Sequence, residues 1–200
     1  MFTFKNLFSR ALLMLALMSS AGATLAAPVS YRVAIDTSSL SGEGLLDFSF
    51  ISGGTYQTAN AVLSNFSGSF GGVYDSFGAV TGDTTSAIML GNLPGDNYMT
   101  HVVNFGGLFG FDVVFDAAPA DVGTLFGVNL YLPEFTDFAL GEDALVGIEL
   151  NADGSITPNV RRPYATLTSI DITEVPEPGQ WLLMAIGLFA MYSTMRRVRR

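Results

Sequence analysis

Between residues 28 and 174, apolar and polar side chains alternate in short runs, and glycines or Asn/Asp turns separate one run from the next. Tyr31, Val33 and Ile35 alternate with Arg32, Ala34 and Asp36, and Leu46, Phe48 and Phe50 alternate with Asp47 and Ser49. A period of two places successive side chains on opposite faces of a strand, so each run reads as a strand with one buried face. Further runs lie at 59–66, 73–81, 86–90, 98–105, 108–115, 125–132, 144–150 and 164–172. Phe126, Val128, Leu130 and Leu132 form one face of their run, as Val146, Ile148 and Leu150 do of theirs. Asn151-Ala152-Asp153-Gly154 reads as a hairpin turn, with Gly154 supplying the positive φ. No stretch of ten residues in this region keeps a helical period. About ten strands at intervals of roughly 8–15 residues predict an all-β domain. Its expected form is an antiparallel β-sandwich, jelly-roll-like, with a barrel as the alternative.

Both ends break the alternation. Lys5 and Arg10 precede an apolar stretch from Ala11 to Met18, and small residues run from Ala23 to Ala27. That is the layout of a secretory signal peptide over 1–26, cleaved between Ala26 and Ala27. An uncleaved N-terminal anchor is the competing reading. At the other end, Val175, Pro176, Glu177 and Pro178 lead into an uncharged apolar run from Trp181 to Met195. Arg196, Arg197, Arg199 and Arg200 follow it. The prolines disfavour helix in the residues before them, so a helix starts at or after Pro178. In lipid the apolar run satisfies its backbone only as a helix, and the arginines hold its end on the cytoplasmic side as a membrane stop. Everything up to Val175 then lies outside the cytoplasm. At 1.5 Å per residue the run spans roughly 22 Å, short of the ~30 Å hydrocarbon core. Snorkelling and local thinning cover part of the difference, which fits a temporary transmembrane sorting helix better than a permanent anchor. An ordinary tail anchor is the alternative. Three parts result: signal peptide 1–26, β-sandwich domain 27–174, and C-terminal segment 175–200.

Composition sharpens the picture of the middle part. The chain has 18 acidic and nine basic residues, but of the bases only Arg32, Arg161 and Arg162 lie outside the two terminal segments. A surface so acidic repels nucleic acid and anionic head groups, and it favours solubility or divalent cations. There is no cysteine, so disulfides and thiol chemistry play no part, and stability rests on packing.

No catalytic residue emerges. His101 is the only histidine; without cysteine it leaves no zinc or Cys-His site, and in Tyr98-Met99-Thr100-His101-Val102-Val103 it reads as a surface residue of a strand. No serine sits in a G-x-S-x-G elbow. Asp112 with Asp116, or Glu142 with Asp143, could form a carboxylate pair for glycoside hydrolysis, but no motif marks them out from solvated surface acids. The stretches 116–121 and 135–143 offer loop carboxylates, Asp121 and Glu142 among them, to calcium. Neither has the spacing of a calcium loop, so the expectation is no metal and no cofactor. Asn65-Phe66-Ser67 fits a glycosylation sequon, with a strand end as the plain reading. Tyr56, Tyr74 and Tyr131 could stack on sugar rings, against core or rim packing. The only tryptophan, Trp181, lies in the terminal segment, which weakens the sugar-binding reading.

The Val-Pro-Glu-Pro motif, the apolar helix and the arginine cluster together resemble the PEP-CTERM sorting signal of Gram-negative bacteria. The resemblance implies recognition of Pro176, Glu177 and Pro178 by an exosortase, a membrane-embedded cysteine-type transpeptidase. Such an enzyme cleaves near the motif and releases or transfers the mature protein. YRVAIDTSSLSGEGLLDFSF, residues 31–50, also looks like the opening of one family of PEP-CTERM proteins, in which Y-x-V-x-I-D-T-S leads to L-D-F-x-F. The stretch from Asn151 to Thr157 fits the same pattern.

The sequence therefore implies a non-enzymatic protein exported across the inner membrane, held there as an intermediate, and then delivered to the cell surface or beyond. Its expected role is structural or adhesive, among exopolysaccharide in a biofilm matrix. A carbohydrate-binding module is the alternative, which would show a concave face with two or more exposed tyrosines. A hydrolase would show carboxylates at catalytic separation in a cleft. Replacing Pro176, Glu177 and Pro178 by alanine should leave the uncleaved species in the membrane of the native host. Intact-mass measurement decides it: wild-type mature protein that still carries residues 181–200 contradicts the sorting reading.

Overall fold

Leu46, Phe48 and Phe50 point inward from β2 (Glu43–Ser52), and all three are fully buried. Each packs into a core that a second sheet closes from the other side. The computed structural model describes residues 29–53, 58–116, 123–141, 143–153 and 155–170. The expected signal peptide and sorting segment, together with Tyr56, Asp121, Glu142 and Gly154, lie outside the described residues.

The winding follows from three nested antiparallel pairs. β1 (Val29–Asp36) pairs with β8 (Leu108–Phe115), β2 with β7 (Tyr98–Asn104), and β3 (Asn60–Ser67) with β6 (Ile88–Gly91). Odd and even pairs fall in different sheets, as in one long hairpin rolled over itself, the jelly-roll pattern. Innermost in the nest, β4 (Phe70–Phe77) joins β7 and β5 (Val80–Gly82) joins β6. Four later strands complete the sandwich. β9 (Thr124–Tyr131), β10 (Val146–Leu150) and β11 (Ile156–Val160) extend the second sheet outward from β2, and β12 (Ala165–Ile170) flanks β1. The first sheet runs β12-β1-β8-β3-β6-β5 and the second β11-β10-β9-β2-β7-β4. Two separate six-stranded sheets set the barrel alternative aside.

The core between the sheets is rich in phenylalanine. Phe48 meets Phe111 of β8 edge to face, with ring centroids 5.1 Å apart, and Phe115 meets Phe126 at 5.7 Å. Such pairs add to the area they bury. Outside the first sheet, Arg32 donates to Asp112 at 2.9 Å, directly across the β1·β8 register.

Four expectations need correction. The run 73–81 is two strands in different sheets, because Gly78, at φ 80°, turns the chain between β4 and β5. Leu132 does not share the buried face of Phe126, Val128 and Leu130; it follows β9 and is exposed. β11, unmarked by any alternation, is a polar edge strand in which Pro158 needs no ladder partner on its open side. His101, the fourth, bears on function and is taken up below. The β10–β11 hairpin turns where expected, with Asp153 accepting from the Ser155 amide at 2.9 Å.

Truncating Phe48 to alanine should cost about 3–5 kcal/mol, as for other buried aromatics. Leu108→Ala, on an exposed side chain, should stay within about 0.5 kcal/mol. Denaturant midpoints of the full chain compare the two, and equal losses would contradict the core assigned here.

Candidate functional site

Because Leu46, Phe48 and Phe50 face the core, Leu45, Asp47, Ser49 and Ile51 must face outward from β2. The register then builds a polar row across four strands on the outer face of the second sheet. Asp47 lies opposite Asn129 of β9 on one side and Thr100 of β7 on the other, and Thr100 lies opposite Asp75 of β4. The Thr100 hydroxyl donates to Asp47 Oδ1 at 2.8 Å, and Asn129 Nδ2 donates to Oδ2 at 3.3 Å. Beside Thr100, the Tyr98 hydroxyl donates to Asp75 Oδ2 at 2.9 Å.

An aromatic arch stands alongside this row. After β9 the chain makes a single 3₁₀ turn over Pro133–Phe135, in which Glu134 and Phe135 have φ of 59° and 54°. A bulky residue in that left-handed region is strained, and such strain collects at binding and switch sites. The turn aims the Phe135 ring at Tyr131 of β9, 5.0 Å away, and at Tyr74 of β4, 5.6 Å away. Those two strands lie on either side of β2 and β7, so the three rings bridge the face. Away from the arch the floor is low: Gly127 of β9 faces Ser49, and a Cβ there would come within 2.7 Å of the Ser49 hydroxyl.

The row, with Tyr131 and Phe135 of the arch, lines an open cleft of about 350 Å³ to which Asp47, Asp75, Asp96 and Tyr98 contribute, among others. That volume falls within the ~300–1,000 Å³ of small-ligand sites. Asp47 is only 8% exposed. Burial pushes its carboxyl above the ordinary 3.8, against the hydrogen bonds from Thr100 and Asn129, and the charge on Asp75 adds to the rise. The hydrogen bond to Asp75 raises the Tyr98 phenol, so it stays a donor; burial raises that of Tyr131. Asn97 lines the cleft as a staple: its amide donates to the Phe50 and Leu93 carbonyls at 3.2 and 2.7 Å.

Of the residues singled out in the sequence, Tyr74 and Tyr131 come together through Phe135; Tyr74 is exposed and Tyr131 half-buried. Asp112 and Asp116 do not form a pair. Asp112 is held by Arg32 and Asn65, and Asp116 accepts from both the backbone and the side chain of Asn60. Asp143 accepts from the Ala144 amide. Among the described residues, no three carboxylate or imidazole groups converge closely enough to hold a metal ion. Asn65 of the sequon sits in β3 with its amide on Asp112.

His101 is not on the surface. On β7, Met99, His101 and Val103 face inward, and His101 is 1% exposed. The edge of its ring meets Phe70 at 6.2 Å, Nδ1 lies 3.3 Å from the Gly71 carbonyl, and Nε2 has no hydrogen-bond partner. The Nδ1–H tautomer satisfies the Gly71 contact. Alternation puts His101 on one face with Met99 and Val103, but β7 carries polar residues on both faces, and only the packing of the sheets decides which is inward. Asp47, missed as a site residue, was visible in the sequence as the acid of an alternating run, between Leu46 and Phe48.

Fold and cleft together define a jelly-roll-like β-sandwich with a small-ligand-sized site on one sheet. Residues 174–200 match the family model of the PEP-CTERM protein-sorting motif, so the chain carries that sorting signal. The motif implies processing by an exosortase, with secretion through a membrane-anchored intermediate to an extracellular or surface location. No helix among the described residues is long and apolar enough to cross a membrane; the expected one, 181–195, lies outside them. No curated protein and no solved structure matches the chain.

Burial holds His101 below its ordinary 6.5. The stability this gives is complete above 6.5 and is lost as pH falls from there toward the lowered folded value, because the unfolded chain takes up the proton first. Asp47 acts in the opposite sense: its raised value makes ionisation costly to the fold, and that cost is relieved as pH falls through the raised value toward 3.8. His101→Gln should therefore flatten the drop in melting temperature between about pH 7.5 and about pH 5.5. An unchanged slope would contradict a buried neutral His101.

Proposed function

We propose that the exported domain is a glycan-binding, adhesive component of the extracellular matrix, and that the cleft on the second sheet is its binding site. One observation carries this reading: hydrogen-bonding groups from four strands lie in a row beside the linked rings of Tyr74, Phe135 and Tyr131. Sugar rings offer hydroxyls in their plane and C–H faces above and below it. A polar floor with aromatic walls suits both, and tyrosine and phenylalanine serve as walls without tryptophan. The acidic surface keeps such a domain soluble among polysaccharide and away from anionic membranes. Exosortase processing would deliver it there.

The reading is one of binding without turnover. Each oxygen of Asp47 is engaged by a donor of its own sheet, and Asp75 accepts from Tyr98 and from the Ser76 amide. Those donors orient both groups as acceptors toward a ligand. A hydrolase is the second reading, favoured by one feature. The register sets Asp47 and Asp75 two strands apart, roughly 10 Å between backbones, close to the widest spacing of an inverting pair.

The full chain, purified in a detergent without a sugar head group, should bind at least one class in a panel of neutral, acidic and amino oligosaccharides. Tyr131→Ala and Phe135→Ala should each weaken that binding about tenfold, the scale of a lost aromatic anchor. Absence of binding to every glycan would overturn the proposal, and shortened oligosaccharides in the same incubations would replace it with the hydrolase reading.

A further inference from the structure

The cleft is one-sided in charge. Three carboxylates, Asp47, Asp75 and Asp96, line it, and among the described residues no basic one does. The domain's own arginines stand elsewhere. Arg32 is committed to Asp112 on the other sheet, and Arg161 and Arg162 follow β11 at the far edge of the second sheet from β4. Asp47 is therefore a carboxylate more than nine-tenths buried, answered only by a hydroxyl and an amide. Burying a charge without a counter-charge is costly, and an occupant that brings a positive charge offsets that cost.

The geometry limits what that occupant is. Among the described residues no three carboxylate or imidazole groups converge on one point. The cleft is wide, and its walls are aromatic. Tyr131 and Phe135, their ring centroids 5.0 Å apart, line it, and aromatic rings attract ammonium groups and pack against sugar C–H groups. Asp47 and Asp75 both line the cleft, so an ammonium can donate to either carboxylate while ring hydroxyls meet Ser49 and Asn129.

We propose that this cleft selects amino sugars with a free, protonated amine, as in de-N-acetylated hexosamine polymers, over N-acetylated, neutral and uronic acid glycans. The inference rests on the cleft's being the glycan site proposed above, and it names the glycan. A uronate would bring a fourth negative charge into the cleft. An N-acetyl group would replace the ammonium by a neutral amide and leave Asp47 without a counter-charge.

The test titrates the full chain, in detergent free of sugar head groups, with glucosamine oligomers, N-acetylglucosamine oligomers of equal length, and oligolysine of equal charge. Glucosamine oligomers should bind about tenfold or more tighter than both of the others, the scale of a charged hydrogen bond. Asp47→Asn, and separately the more exposed Asp75→Asn, should remove most of that advantage. Glu43→Gln, an exposed acid outside the cleft, should leave it intact. Equal or tighter binding of the N-acetylated oligomer overturns the amine inference and leaves the glycan reading standing. Oligolysine binding as tightly, or an equal loss in Glu43→Gln, overturns it in favour of bulk acidic charge. If no glycan binds at all, the site reading fails and this inference with it.

Discussion

The packing of Phe48 against Phe111 joins the two sheets, and much of the rest is fixed once it is made. Phe48 commits the even-numbered side of β2 to the interior, and the pleat then sends Asp47 and its odd-numbered neighbours to the outer face. A one-residue slip would put Asp47 in the phenylalanine core and Phe48 in water, so the burial of one face protects the register of the other. The cleft thus depends on contacts that lie on the far side of its own sheet.

Two titratable groups sit out of water on β2 and β7, at neighbouring positions in the register, but on opposite faces. His101 is inside, where burial disfavours its charged form; Asp47 is on the outer face, beside the arch, and ionises at a cost. Their opposed pH dependences mean that mild acid weakens the core while easing the strain of the buried carboxylate. An imidazole core residue with an unpartnered Nε2 is a liability in a molecule that has no disulfide to hold it. The aromatic packing between the sheets has to offset it.

Export imposes its own logic on the same chain. A protein bearing the PEP-CTERM sorting motif is bound for an extracellular or surface location, where its fold must persist without cysteine. A jelly-roll-like sandwich suits that demand, since nested pairing links residues distant along the chain through many ladder bonds at once. The turn at Pro133–Phe135 is the exception. There the backbone is strained, and that local cost holds the Phe135 ring against Tyr131 and Tyr74.

Much of this was legible in the sequence. The period of two identified most strands and, in β1, β2, β9 and β10, the buried face as well, because burial of one face is a local consequence of side-chain polarity. The terminal motif was legible because its order and spacing are themselves the signal, and the all-β class followed from the absence of any helical period. The site was not, since alternation says which side chains share a face and is silent on which strands are neighbours. Asp47, Thr100, Asn129 and Asp75 come from four strands spread over residues 47–129, and only the nested pairing sets them in one row. The placement of His101 inside needed the same knowledge, as β7 carries polar residues on both faces. The break of 73–81 into two sheets, and the aromatic arch that follows β9, were likewise decided by tertiary packing, because a turn at Gly78 or a strained Phe135 is favourable only once its distant neighbours are in place.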